Sequence, residues 1–136
     1  MMIEMLKSKI HRATVTGADL EYNGSISIDP ALVEAVGLRE WEKVDVLDID
    51  NGARLTTYVI LGEPGEICVN GAAARLVQRG DRVIIAAYGQ LTEEESENFR
   101  PQIVLVDGRN AIIERFHPSR CSTDPSSHPE TSGGRS

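Results

Sequence analysis

With 136 residues, 4% aromatic content and a formal net charge of −7, the chain fits one domain with a real core and carries a field that repels phosphate backbones, so nucleic acid is excluded as a partner. Valine and isoleucine together number 23 against 10 leucines, a composition suited to a pleated sheet. No apolar run approaches the roughly 18 residues of a membrane span and Met1 to Lys7 lacks a signal peptide's apolar region, so a cytoplasmic protein with no membrane partner is expected, with Cys68 and Cys121 reduced.

Residues 7 to 16 alternate loosely and carry Ile10, Ala13 and Val15, which predicts a first strand with Lys9 and His11 on one face. Asp29 offers an N-cap, Pro30 occupies the first helical position, Ala31 to Val36 follow, and Gly37 can end the short helix. Val44 to Asp50 and Ala53 to Leu61 flank Asn51-Gly52 and predict a β-hairpin with a two-residue turn. Strands are predicted over Glu66 to Val69, Arg82 to Tyr88 and, last, Gln102 to Val106, with a short helix over Ala72 to Val77. Residues 117 to 136 contain no Val, Leu, Ile or Phe; they cannot offset ordering entropy by burial and are expected to be a disordered tail. His117, Cys121 and His128 lie there without a second cysteine pair, so no metal site is expected. Many short strands, few helices and no repeat period make the fold class mainly β, a small closed barrel over residues 1 to 116.

The run Asn23-Gly24-Ser25-Ile26-Ser27-Ile28 supports two readings. Asn-Gly between extended runs is a hairpin signal. Gly24-Ser25 also sets a serine hydroxyl beside an unhindered glycyl carbonyl, where a backbone could cut itself. Around it stand Lys9-Ile10-His11-Arg12, then Asn51-Gly52-Ala53-Arg54-Leu55-Thr56-Thr57-Tyr58, then Val69-Asn70-Gly71-Ala72-Ala73-Ala74. Together these blocks resemble, in order and nearly in spacing, the pyruvoyl-dependent aspartate 1-decarboxylase family from about Met5 to about Val106.

The resemblance implies a six-stranded double-psi β-barrel with short helices, assembled as a homotetramer with active sites between subunits. It implies a precursor that cleaves itself between Gly24 and Ser25 into a β chain, residues 1 to 24, and an α chain, residues 25 to 136. Ser25 would become a covalent pyruvoyl group that binds the substrate amine, and Tyr58 the proton donor. Lys9 and Arg54 would meet the carboxylates of L-aspartate, with Thr57, Asn70, Gly71, Ala72 and Ala73 completing substrate binding. The product would be β-alanine for pantothenate synthesis. That pyruvoyl group would be the cofactor, with no metal and no pyridoxal phosphate, and the sequence has neither a G-x-G-x-x-G nor a G-x-x-x-x-G-K-[ST] phosphate cradle. Whether an accessory maturation protein takes part stays open.

Each of these residues also has an ordinary reading. Lys9 and Arg54 could be solvated cations, Tyr58 a strand tyrosine, Thr57 a β-branched filler, and Asn70 to Ala73 a turn feeding a helix. His11 is more readily a structural hydrogen-bonding residue than a catalyst. Arg54 and Tyr58 share one face of a regular strand while Thr57 points the other way, so a single site needs either a bulge or two subunits. Three rival functions stand beside the decarboxylase. One is a non-cleaving barrel that binds or scaffolds. Another is a pyruvoyl decarboxylase of a different amino acid, which Arg54 and Lys9 disfavour for cationic substrates. The third, a serine hydrolase, lacks G-x-S-x-G.

Overall fold

The computed structural model describes residues 1–21 and 23–116; the expected tail, 117–136, lies outside the described residues, as do Cys121 and His128 within it. In chain order the elements are β1 (Met2–Thr14), β2 (Gly17–Asp19), β3 (Ser25–Ile28), α1 (Pro30–Ala35), β4 (Lys43–Asp48), β5 (Arg54–Leu61), β6 (Ile67–Asn70), a 3-10 turn (Gly71–Arg75), β7 (Arg82–Thr92), α2 (Glu93–Ser96), β8 (Gln102–Val106) and β9 (Ile112–Phe116). The class is mainly β, as expected. The count is nine strands rather than six: the six read from the sequence are β1, β4, β5, β6, β7 and β8. Strands β2, β3 and β9, with 3, 4 and 5 residues, are the ones the structure adds.

The strands form one array in the order β2-β6-β3-β5-β4-β7-β1-β8-β9. The chain itself closes it: β1, which pairs with β7 and β8 near one end, runs on into β2, the strand at the other end, which pairs with β6. Thr16 makes the join: its N–H donates to the Ile67 carbonyl at 2.7 Å, and its Oγ1 accepts from the Ile67 N–H at 3.0 Å. The array therefore curls round a single core of Ile10, Ala13, Val15, Ile26, Ile28, Val44, Val46, Val59, Ile67, Val69, Val83 and Ile85, with α1 contributing Leu32 and Val33. Full burial of such side chains stabilises by about 1.5–3 kcal/mol each. The β-branched bias of the composition is thus spent on the inner faces of twisted strands.

Helix α1 forms as predicted: the Asp29 carboxylate accepts from the Ala31 N–H at 2.8 Å, Pro30 opens the helix and Gly37 follows at φ 72°. Other boundaries are corrected. Strand β1 begins at Met2 and β7 runs to Thr92, each pairing the other over most of its length. The short helix expected over Ala72 to Val77 is a 3-10 turn over Gly71–Arg75. Gln102–Val106 is followed by β9. The acidic run at Glu93 opens α2 through a capping box between Thr92 and Glu95. Among the described residues no helix is long and apolar enough to cross a membrane.

The β4–β5 link is wider than a two-residue turn. Leu47 pairs with Arg54, and the Gly52 N–H reaches back to the Asp48 carbonyl at 2.9 Å. Only Gly52 of the Asn51-Gly52 pair has a positive φ, whereas a type I′ turn needs both. The cause is Asp48, whose Oδ1 accepts from the N–H groups of Asp50 and Asn51 at 2.8 and 3.1 Å. Its other oxygen is buried and receives no donor, with carboxylate oxygens of Asp50 and Asp81 within 4.8 Å. Burial, then the nearby Asp81 carboxyl, pushes the Asp48 pKa up. On the open side Arg82 neutralises Asp50 at 3.1 Å.

Asp48→Asn keeps the acceptor for both backbone N–H groups and offers Asp81 a donor. Because the folded-state pKa of Asp48 is raised, the wild-type carboxyl costs stability as pH climbs from the ordinary carboxyl range through the folded value, whereas below that range both states hold the proton. Asp48→Asn should therefore exceed wild type by about 1 kcal/mol in urea unfolding at neutral pH, with the gap closing towards pH 4. A variant less stable than wild type at neutral pH would contradict this account.

Candidate functional site

Strand β6 lies between β2 and β3, parallel to the first and antiparallel to the second. Hence β2 and β3 do not pair with each other, and Asn23-Gly24 is not the turn of a hairpin. Asp19, the last residue of β2, and Ser25, the first residue of β3, instead lie opposite Asn70, the last residue of β6, on its two sides. Gly24 is exposed with no heavy atom within 4 Å of the place a Cβ would take. Ser25, one residue on, is 1% exposed.

Polar side chains converge at this junction. Asn70, also buried, donates from Nδ2 to Ser25 Oγ at 2.9 Å and to Ser27 Oγ at 3.1 Å, while its Oδ1 accepts from Cys68 Sγ at 3.4 Å. Every polar atom of the amide is engaged, which fixes its orientation. The Ser25 hydroxyl donates in turn to the Asn23 carbonyl, a long contact of 3.4 Å. Burial, helped by Glu66 and Asp19, raises the pKa of Cys68, so the thiol keeps the proton it donates to Asn70. Gly71 leaves the strand at φ 76°, and Ala72 and Ala73 begin the 3-10 turn, Ala72 exposed.

Strand β5 flanks β3 on the other side. Ile26 pairs with Val59 in a parallel ladder; carried one and two residues back, the same register brings Tyr58 level with Ser25 and Thr57 level with Gly24. Leu55 and Val59 pack in the core, so Thr57 shares their inward face, while Arg54, Thr56 and Tyr58 project outward. The Tyr58 ring stacks on Trp41 with centroids 5.7 Å apart and planes at 30°.

Lys9 and Arg54 sit elsewhere. The ladders place Thr56, Asp45, Ala86 and Lys9 in one row across β5, β4, β7 and β1, so Lys9 lies three strand spacings, about 14 Å, from β5. Arg54 is exposed at the start of β5, about 13 Å along the strand from Tyr58. Burial lowers the Lys9 pKa. For His11 burial comes first and the charges of Lys9 and Arg12 add to it, all lowering its pKa. His11 Nδ1 is buried without a hydrogen-bond partner, at a bulge where Arg12 takes φ 69°.

The chain thus gathers Gly24, Ser25, Thr57, Tyr58 and Asn70 to Ala73 around the β3 start, between β5 and β6, and leaves Lys9 and Arg54 on another part of the outer face. Sequence reasoning missed Ser27, Cys68 and Trp41. The first two stand two residues from Ser25 and Asn70 on their strands, a spacing that puts them on the same faces and could have flagged them. Nothing in the sequence ties Trp41 to Tyr58.

Asn70→Ala removes the donor from two buried hydroxyls and should lower unfolding stability by about 2–3 kcal/mol, read by urea titration. Cys68→Ser, which keeps a donor to Oδ1, should cost less than half as much. Equal losses would show that the amide's orientation does not depend on residue 68.

The aspartate decarboxylase family matches residues 1–113. Among curated relatives, aspartate 1-decarboxylase of Clostridium beijerinckii is 59% identical over 116 residues, covering 84% of this chain and 94% of the relative. That of Campylobacter hominis is 56% identical over 114 residues, covering 84% of this chain and all of the relative. That of Caldicellulosiruptor saccharolyticus is 62% identical over 115 residues, covering 83% and 90%. A family match over residues 1–113, with identities of this size over most of both chains, identifies this chain as a member of the aspartate decarboxylase family.

Proposed function

We propose that this protein converts L-aspartate to β-alanine and carbon dioxide, supplying β-alanine for pantothenate synthesis, with a pyruvoyl group made from Ser25. The observation that carries this reading is the setting of the 24–25 bond: an exposed glycine with open space at its Cα is joined to a buried serine whose Oγ is held by Asn70. Ser25 Oγ attacks the Gly24 carbonyl carbon, the C–N bond breaks and an ester forms; elimination across Ser25 then frees the 1–24 chain. Hydrolysis of the resulting dehydroalanine releases ammonia and leaves the ketone at the head of 25–136. Thr57, level with Gly24, supplies the hydroxyl that steadies the Gly24 oxygen during attack.

The residues present fit that group, since the same buried junction that holds the serine would hold the shorter ketone beside Asn70. The pyruvoyl carbonyl would take up the substrate's amine and accept the electron pair released with carbon dioxide. Tyr58, next in register to Ser25, returns the proton to the substrate's Cα. Backbone N–H groups of Gly71 to Ala73 and the Asn70 amide orient the substrate. Arg54, a planar bidentate donor, and Lys9 bind carboxylate. Neither is next to Ser25 in register within one chain, and in this reading a second copy of the chain, in a homotetramer, supplies them. The 25–116 part of the barrel and the 1–24 strand stay assembled after cleavage because β1 is laced to β7 and β8 along its length.

Intact mass tests the first step. Purified protein should resolve into two fragments, the C-terminal one about 17 Da lighter than an unmodified chain starting at Ser25, the loss of ammonia; Ser25→Ala should stay whole and make no β-alanine. A wild-type protein that turns over aspartate while uncut would overturn the proposal. A non-cleaving barrel is the reading left if the chain stays whole and makes no β-alanine, even with a maturation partner supplied.

The shared site is tested by co-expression. Tyr58 shares the Ser25 side of the site, so the separable pair is Ser25 and Arg54. Ser25→Ala and Arg54→Ala chains, each inactive alone, should form mixed oligomers in which about a quarter of sites are intact, the random-mixing fraction. Mixed oligomers with no more β-alanine formation than the single variants would place Arg54 and Ser25 in the same protomer.

A further inference from the structure

Trp41 breaks a local rule. The Glu42 N–H donates to the Arg39 carbonyl at 3.1 Å, closing a β-turn over 39–42, and Trp41 occupies its third position with φ 77°. That is the position at which a type II turn calls for glycine or asparagine, and a bulky side chain there is strained. Burial does not offset the strain, because Trp41 is 68% exposed. Nor does the turn leave the ring free to move away: the Trp41 N–H donates to the Val59 carbonyl at 2.7 Å and the Val59 N–H to the Glu42 carbonyl at 3.0 Å, which clamps Trp41 beside β5. What the indole does contact is the Tyr58 ring, stacked at 5.7 Å. A local violation of this kind, with one aromatic contact as its return, is expected where function rather than stability sets the residue.

We infer that Trp41 is a positioning residue for the decarboxylation: its indole, held by the strained turn, fixes the rotamer of Tyr58 and so the place of the hydroxyl that delivers the proton. This rests on the reading of Tyr58 given above. Tyr58 projects from the outer face of β5 beside the Ser25 junction, and on that face a tyrosine without a stacking partner would sample more than one χ1 well. The stack confines it. Proton delivery then draws on a hydroxyl already in place, a contribution to kcat rather than to substrate affinity.

The test uses self-cleaved protein, checked by mass, so that maturation and turnover are read apart. Trp41→Asn, which suits the left-handed backbone, should fold at least as stably as wild type yet lose about 3- to 10-fold in kcat with KM within about twofold. Trp41→Phe, which keeps a ring on Tyr58, should recover at least about half of the lost rate. In a Tyr58→Phe background, Trp41→Asn should cost nothing further, because the two act as one unit. If Tyr58→Phe loses kcat but Trp41→Asn does not, the Trp41 inference fails alone. An equal loss from Trp41→Asn with and without the Tyr58 hydroxyl also overturns it. If Tyr58→Phe keeps full kcat, the role of Tyr58 fails and the inference falls with it.

Discussion

The insertion of β6 between β2 and β3 is the constraint from which the site follows. With β6 in the middle, β2 and β3 cannot pair with each other, and the end of one and the start of the other face Asn70 from opposite sides. The peptide at 24–25 is thereby placed where an exposed glycine meets a buried serine, and where the last residue of β6, Asn70, lies directly opposite. Hydrogen bonds from the Asn70 amide to Ser25 and Ser27, and the Cys68 thiol on its oxygen, then hold the junction in one arrangement. A simple hairpin would have put the same two residues in open solvent with no such neighbours.

Burial and charge divide the molecule in two ways. The inner face is aliphatic and β-branched, and it is closed by the Thr16–Ile67 join rather than by long connections. The outer face carries the polar groups: Tyr58 stacked on Trp41, Arg54, Lys9 and His11. Lys9 and His11 are partly desolvated, which lowers both pKa values. With a net charge of −7, long-range attraction of a dicarboxylate is poor, so any such recognition has to act at short range.

Two turns show how side chains override a motif. Asn51-Gly52 reads as a tight hairpin turn, yet the Asp48 carboxylate captures two N–H groups and widens the loop. At Trp41 a turn position that favours glycine or asparagine carries the chain's one tryptophan. In both places a residue outside, or unsuited to, the motif decides the geometry because a hydrogen bond or ring contact outweighs backbone preference.

By itself the sequence determined the β class, from the excess of valine and isoleucine, and α1, from Asp29, Pro30 and Gly37. It also marked Gly24-Ser25 and the blocks carrying Lys9, Arg54, Thr57, Tyr58 and Asn70 to Ala73, since residue types and their order are properties of the chain alone. Only the tertiary structure decided that Asn23-Gly24 is not a hairpin turn, that Cys68 and Ser27 join Asn70 and Ser25, and that Trp41 covers Tyr58. Strands β2, β3 and β9 likewise surfaced only there. The reason is physical: period and capping act over a few neighbours, whereas strand order and register depend on which distant segments lose least by pairing.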